Sequence, residues 1–407
     1  MDRRLSILEV AGSGAVGVAP MGPVTNVIYQ LSTELQRLGQ DVVIADARAA
    51  ARSVDVPVME IDVPPGDARE TGPRQRRLVE GVLRLQPSRF DIVHVHDWRV
   101  ADLLQRRGVA TVYTAHTPLW LGLRGVALWR DRVRRMVAAH ERRVISRSRL
   151  TIAFGDYLRV AGARIAVIPS GVRAANFTPP PAPKVPGERF EILCIARLSK
   201  EKGVHVLVDA LRRIRFPHRT RIIGSSTGMF EPDGKATPYA ERVKESARGL
   251  PIEFLGFVRN DSSQFRDYLA EADVVVVPSL FEAQGIAILE ALSMSVPVIA
   301  SDVGGIPSMV TPDVGMLVPR SDPVALAHAL EELQRDPLRR AKMAERARPR
   351  VLAEFMWERS AQRHLDAFRQ LSRAATHDAP ERFSSSGSLR RASSGRSPEA
   401  KSPQASA

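Results

Sequence analysis

Short β-branched runs alternate with helical stretches along this chain, twice over, and a proline-rich break separates the two series. LSILEV (5–10), DVVIA (41–45), DIVHV (91–95) and ATVYT (110–114) read as strands. Apolar residues recur at helical spacing over 25–38, and arginine-rich helical stretches lie between the later strands. Such an alternation builds a parallel sheet by crossover helices, whose strands are apolar on both sides because helices cover both faces. At 179–186 the string PPPAPKVP can continue neither helix nor sheet, and it reads as a linker. The alternation resumes with strands at 190–195, 220–223, 252–254 and 273–277 and a helix from Gly203. The sequence therefore predicts two α/β domains, 1–178 and 189–355, with a linker over 179–188. A helix over 356–374 is expected to pack back on the first domain. From 375 to 407 the chain turns into Ser/Pro/Arg-rich low complexity, with too few apolar residues to offset ordering entropy, and a disordered tail is expected.

Charge and composition exclude several function classes. The formal charge of +14 invites a polyanion partner. Yet 52 of the 59 basic residues are arginine, scattered through every predicted helix, and no zinc-finger, RNP or basic-zipper pattern is present. No nucleic-acid partner is expected. The single cysteine, Cys194, rules out a disulfide framework and a cysteine-based zinc cluster, and implies a reducing, cytoplasmic setting. The longest uncharged stretch, 10–33, is broken by four glycines and two prolines and is too polar for a membrane span. Arg3 and Arg4 precede an apolar run, but Glu9 interrupts it, which argues against a secretory signal.

The front of the chain carries a decoy. Gly12, Gly14 and Gly17 fit the dinucleotide fingerprint, follow a strand, and have Asp46 at the end of the next strand. That fingerprint works only if the helix opens at the loop, so that its first amides meet the pyrophosphate. Pro20 and Pro23 intervene here, and the helical period begins only near Val24. The glycines read as part of a longer loop, not as a nicotinamide or flavin site.

A second constellation is more specific. Glu282 and Glu290 stand in SLFEAQGIAILEAL, directly after the strand DVVVVPS. Their spacing puts Glu282 in a strand-to-helix loop and Glu290 about two turns along the helix. Amides near Gly285 and Ile286 are then donors for a phosphate, and IARLSKEKG supplies Arg197 and Lys202 just after the second domain's first strand. Together with DIVHVHDW, IPSGV, FLGFV, VPVIASDVGGIP and a closing helix with Trp357, all in one order, this pattern resembles the retaining glycosyltransferases of family 4.

The resemblance implies a GT-B fold, α/β, with two facing Rossmann-like domains and a parallel sheet in each. It implies transfer of a sugar from a nucleotide-diphosphate donor, a UDP-sugar favoured, to a small-molecule or lipid-linked acceptor, with retention. The first domain would take the acceptor and the second the donor. Arg197 and Lys202 would clamp the diphosphate, Glu290 would accept from the ribose hydroxyls, and Glu282 would hold the transferred sugar. Gly285 and Ile286 would give amides to the distal phosphate, and backbone near Val258 would read the base edge. His116 would meet sugar and acceptor, and Gly22 would let backbone approach the donor phosphate. Some positions depart from the family pattern. Pro20-Met21-Gly22-Pro23 replaces a Gly-Gly pair, Ala283-Gln284 follows the first glutamate, Ser295 stands where glycine is common, and Ser308 where glutamate is common.

No cofactor is expected beyond the nucleotide-sugar co-substrate, and no metal. His94 and His96 alternate along a strand end, but the sequence offers no convincing third ligand. Cys194 reads as inert core packing. The stretch 124–149 holds nine arginines with apolar residues at helical spacing. Packing of its apolar stripe on the sheet is the favoured reading, with weak peripheral contact to an anionic membrane face as the other. The alternatives to a transferase are a nucleotide-sugar epimerase and a non-catalytic sugar-nucleotide binder of the same fold.

Overall fold

The computed structural model describes residues 3–12, 22–47, 54–63, 71–118, 128–180, 187–227 and 234–377. The first sheet contains β1 (Ser6–Val10), β2 (Asp41–Ala47), β3 (Val58–Ile61), β4 (Ile92–Val95), β5 (Val112–Thr114), β6 (Leu150–Ala153) and β7 (Ile165–Val167). Its spatial order is β3-β2-β1-β4-β5-β6-β7, with every pairing parallel. The second sheet contains β8 (Phe190–Ile195), β9 (His218–Ile223), β10 (Ile252–Gly256), β11 (Val274–Val277), β12 (Val298–Ser301) and β13 (Gly315–Val318). It runs β10-β9-β8-β11-β12-β13, again all parallel. Both are doubly wound orders, which reverse between β1 and β4 and between β8 and β11. The crevice beyond the C-terminal strand ends at such a reversal is where α/β sheets bind ligands.

Period-two alternation distributes each strand between two cores. Ile7 packs on one face of the first sheet, while Leu8 and Val10 pack on the other. In β8, Leu193 faces one core and Ile192 and Cys194 the other. Burial pushes the Cys194 thiol up to about 12, so it stays protonated in the core.

The helices are α1 (Pro23–Arg37), α2 (Thr71–Arg84), α3 (Trp98–Arg106), α4 (Leu128–Arg147), α5 (Val204–Leu211), α6 (Pro238–Ser246), α7 (Ser263–Glu271), α8 (Ile286–Ser293), α9 (Ile306–Met309), α10 (Pro323–Arg335), α11 (Pro337–Glu354) and α12 (Trp357–His377). Asp97 caps α3 by accepting from the amides of Arg99 and Val100. Pro23 opens α1, where its fixed φ suits the first turn. In α4, Val144 and Ile145 are buried in the first domain's core while Arg142 and Arg143 face outward. The stretch 119–127, where the basic segment begins, lies outside the described residues.

After α11 the chain crosses back. Trp357, Ala361, Leu365, Phe368 and Leu371 of α12 join the core that contains Ile7 and α1. Ser360 donates to the Pro169 carbonyl at 2.7 Å, and Arg149 donates to the Leu371 carbonyl at 2.7 Å. The helix runs to His377, three residues past the predicted end, and the low-complexity tail from 378 lies outside the described residues. No helix among the described residues is long and apolar enough to cross a membrane.

Candidate active site

Two clusters form, one at each sheet reversal. In the second domain, Arg197 follows β8 and pairs with Glu201 at 3.2 Å. Lys202 ends a short 3-10 turn, and its ammonium forms an ion pair with the carboxylate of Glu282, in the loop after β11. Ser279 also donates to Glu282, at 3.4 Å. The two loops are joined by the Leu280 amide donating to the Glu201 carbonyl at 2.8 Å. The arrangement around Glu282 depends on Gly304: its φ is +57°, and a Cβ there would lie 1.7 Å from the Glu282 carbonyl oxygen. Gly285 precedes α8 at φ +89°, and no side chain caps the helix, so the amides that begin at Ile286 open toward this loop.

Glu290 lies in α8 and is 5% exposed. The Asn260 side chain donates to it at 2.9 Å. Burial pushes its carboxyl up to about 7, a rise that the Asn260 hydrogen bond only partly offsets. Asn260 follows Val258 in the turn after β10, and Val258 itself is half-buried against the core. Sequence reasoning gave Asn260 no role, since thirty residues separate it from its partner.

In the first domain, β1 and β4 pair so that Glu9 stands opposite His94. The sequence offered no third group for the two histidines, and the fold corrects this: Glu9 supplies it. Its carboxylate is completely buried, with Oε2 2.9 Å from His94 Nδ1 and 2.7 Å from His96 Nε2. Beyond it, His96 Nδ1 lies 2.8 Å from His116 Nε2, and His94 Nε2 lies 2.6 Å from Thr114 Oγ1. Glu9, His94 and His96 are a set that could offer three atoms to a metal ion. The separations, however, are those of direct hydrogen bonds. Ligands about 2.0–2.2 Å from a tetrahedral ion would stand roughly 3.3 Å apart. Burial alone would raise the Glu9 carboxyl, but the charge of His94 and the hydrogen bonds from His94 and His96 outweigh it. They hold Glu9 well below the ordinary carboxylate range. Burial, then His94, lowers His96 to about 4. Burial, then His96, holds His116 well below the usual histidine range.

The two clusters face each other. His116 lies against the Phe154 ring, with centroids 5.4 Å apart. A Cβ on the next residue, Gly155, would fall 2.5 Å from the Gly305 Cα, so the two backbones abut. Gly305 in turn donates its amide to the Glu282 carbonyl at 3.2 Å, and the Tyr157 and Phe281 rings meet edge to face at 6.0 Å. Gln284 fastens the contact. Its Oε1 accepts from the Ser170 amide at 2.9 Å and hydroxyl at 2.6 Å, and its Nε2 donates to the Ser170 carbonyl at 2.8 Å. The residue that replaced the family's usual string is thus a buried strut between domains.

Gly22 precedes α1 in extended backbone (φ −69°, ψ 165°), and the loop 13–21 that leads to it lies outside the described residues, with Gly14, Gly17, Pro20 and Met21. Gly12 packs against Asp97, and Asp46 is buried and accepts from the Ala47 amide. An acid so placed is engaged within the fold.

Two doubly wound domains whose C-terminal strand edges meet through these loops define the GT-B class. Residues 24–176 match the model of the family described as Glycosyltransferase Family 4, and residues 189–336 match Glycosyl transferases group 1. The chain is 29% identical over 399 residues to D-inositol 3-phosphate glycosyltransferase of Xylanimonas cellulosilytica, covering 88% of this chain and 94% of that one. Among solved structures, sucrose-phosphate synthase from Thermosynechococcus elongatus has a similar fold, with a TM-score of 0.75, 23% identity and coverage of 91% of this chain and 100% of that chain. So does Anabaena Alr3699/HepE in complex with UDP-glucose, at TM-score 0.67, 18% identity, and 92% and 100% coverage. The chain belongs to the family 4 glycosyltransferases.

Proposed function

We propose that this glycosyltransferase moves a sugar from a nucleoside diphosphate, a UDP-sugar before others, to an acceptor held by the first domain, with retention and without a metal ion. The observation that carries the reading is the gathering of Arg197, Lys202, Glu282, the open start of α8 and Glu290 at one sheet reversal. As the bond from the anomeric carbon to the diphosphate oxygen breaks, its electron pair leaves on the nucleotide. Arg197, Lys202 and the amides of Gly285 and Ile286 neutralise that added charge. Glu290 accepts from the ribose, and the backbone at Val258 meets the base. Glu282, oriented by Lys202, holds the sugar hydroxyls, and Gly22 lets backbone approach the phosphate. His116 meets the sugar from the opposite domain, where the acceptor hydroxyl oxygen bonds the anomeric carbon and its proton passes to the departing diphosphate oxygen.

A thermal-shift panel of UDP, GDP, ADP and dTDP tests the donor, because bound ligand raises stability by mass action. Arg197→Ala and Lys202→Ala are each expected to lower turnover by roughly 10², with EDTA leaving turnover intact. Wild-type kinetics in both variants would refute the donor site. Loss with EDTA that magnesium or manganese restores would refute metal independence, and an isomerised donor as the product would mean epimerase chemistry.

A further inference from the structure

The histidine cluster has a direction. An ionised carboxylate only accepts hydrogen bonds, so the ring nitrogens that meet Glu9, His94 Nδ1 and His96 Nε2, must both carry hydrogens. A neutral imidazole holds one hydrogen. His96 therefore presents Nδ1 as a lone pair, and His116 Nε2, 2.8 Å away, must donate to it. That leaves His116 Nδ1 without a hydrogen. The surroundings keep this order: His364 and Phe368 of α12 cover His94 at ring separations of 6.0 and 5.5 Å, and Thr114 takes the remaining nitrogen of His94. Among the described residues, Glu9 is the carboxylate that these rings share.

We propose that Glu9, acting through His96, fixes His116 as the Nε2–H tautomer, so that His116 meets the transferred sugar with a bare Nδ1 that accepts a hydrogen bond from a sugar hydroxyl. Glu9 and His96 are positioning residues, completely or almost completely buried, that set the polarity of a group at the domain interface. The inference rests on the reading that His116 faces the sugar. It adds to that reading which way the hydrogen bond runs. A substrate group that can only accept, such as a fluorine in place of that hydroxyl, is then disfavoured at this contact.

Nitrogen-15 histidine spectra of the full-length chain, without ligand at pH 7.5, test it directly, with the His116 signal assigned through His116→Ala. The expected result is a single Nε2–H tautomer for His116 in the wild type. In His96→Phe the signal should move to a tautomer mixture, and in Glu9→Gln it should move part of the way. An Nδ1–H or cationic His116 in the wild type overturns the proposal, and so does an unchanged tautomer in His96→Phe. If neither variant folds, the wild-type spectrum still decides. With UDP-glucose as donor, His96→Phe should lose about tenfold or more in kcat, following His116→Ala, because a misheld tautomer disables a correctly placed ring. UDP affinity should be unchanged in both. Wild-type kcat in His96→Phe beside a crippled His116→Ala overturns the proposal. Full activity in His116→Ala overturns instead the placement of His116 at the sugar, and the tautomer result then stands alone.

Discussion

Two buried carboxylates, one per domain, show what burial alone does not decide. Glu9 is completely buried and Glu290 nearly so, yet they shift in opposite directions. Two rings donate to Glu9, and its carboxyl is held well below the usual range. Among the described residues one amide donates to Glu290, and burial pushes that carboxyl up to about 7. Partners that favour the charged form can overcome desolvation; one neutral donor cannot. Glu9 is thus complete within the fold, whereas Glu290 keeps acceptor capacity for a ligand. On this account one carboxylate belongs to the architecture and the other to the substrate.

The largest expected contrast is in stability. Glu9→Ala leaves two buried rings without their shared acceptor and should cost about 3–5 kcal/mol, the range for breaking a buried charged pair. Below about pH 5, where Glu290 is protonated in the fold, Glu290→Gln replaces the carboxyl by an isosteric amide that still accepts from Asn260 and should cost under about 1 kcal/mol. Urea unfolding monitored in each variant measures both. Equal losses would break the comparison.

The pH response follows. His96 and His364, in the first domain's core, take a proton near 6.5 when unfolded but only near 4 and 3 when folded. The unfolded chain binds more protons in that window, so stability falls as pH drops below about 6.5. For His96 alone this is on the order of 3 kcal/mol. Glu9 adds in the same sense once the pH falls below the ordinary carboxylate value of 4.5. Glu290 acts oppositely: its folded value near 7 lies above 4.5, so its contribution is present in acid and fades as pH rises through 7. Hydrogen exchange at pH 5 against pH 8 should show the first domain opening more readily in acid and the second in base. Parallel changes in both would contradict the assignment.

A smaller effect separates the two glutamates of the proposed donor site. Glu290→Gln should mainly raise the donor KM, because the ribose does not change during reaction. Glu282→Gln should mainly lower kcat, because its contacts strengthen as the sugar gains positive charge. The reverse pattern would exchange their roles.

The parallel sheets and the cluster around Glu282 were legible because their signals are local: apolar runs, glycines and residues spaced along one helix. Of the edge strands, β10 was read at 252–254, while β3, β7 and β13 were not. Of β7's three residues, none is buried, and β3 and β13 run for four residues each, so little apolar pattern marks them. The Glu9 cluster was half legible. A charge inside LSILEV is costly in a core strand, and that cost is itself a signal of a partner. Its pairing with His94, however, is set by a strand register across 85 residues. Gln284 gave no such signal, because Ser170, its partner, lies 114 residues away in the other domain. Ser295, the residue that stands for a glycine, adopts φ +59° after α8, so the turn kept the glycine conformation without the glycine.

The claim that Glu290 is an acceptor waiting for a nucleotide is tested most directly by calorimetry of UDP-glucose binding. This diphosphodiester has no ionisation of its own near neutrality, so any proton exchanged comes from the protein. At pH 6 Glu290 is mostly protonated, and ribose hydroxyls that donate to its carboxylate should expel that proton. Binding at pH 6 should release a proton, read from buffers of different ionisation heat, with affinity rising up to about tenfold per pH unit below 7, and Glu290→Gln should show neither effect. Binding that exchanges no proton at pH 6, with the same affinity at pH 8, would contradict it.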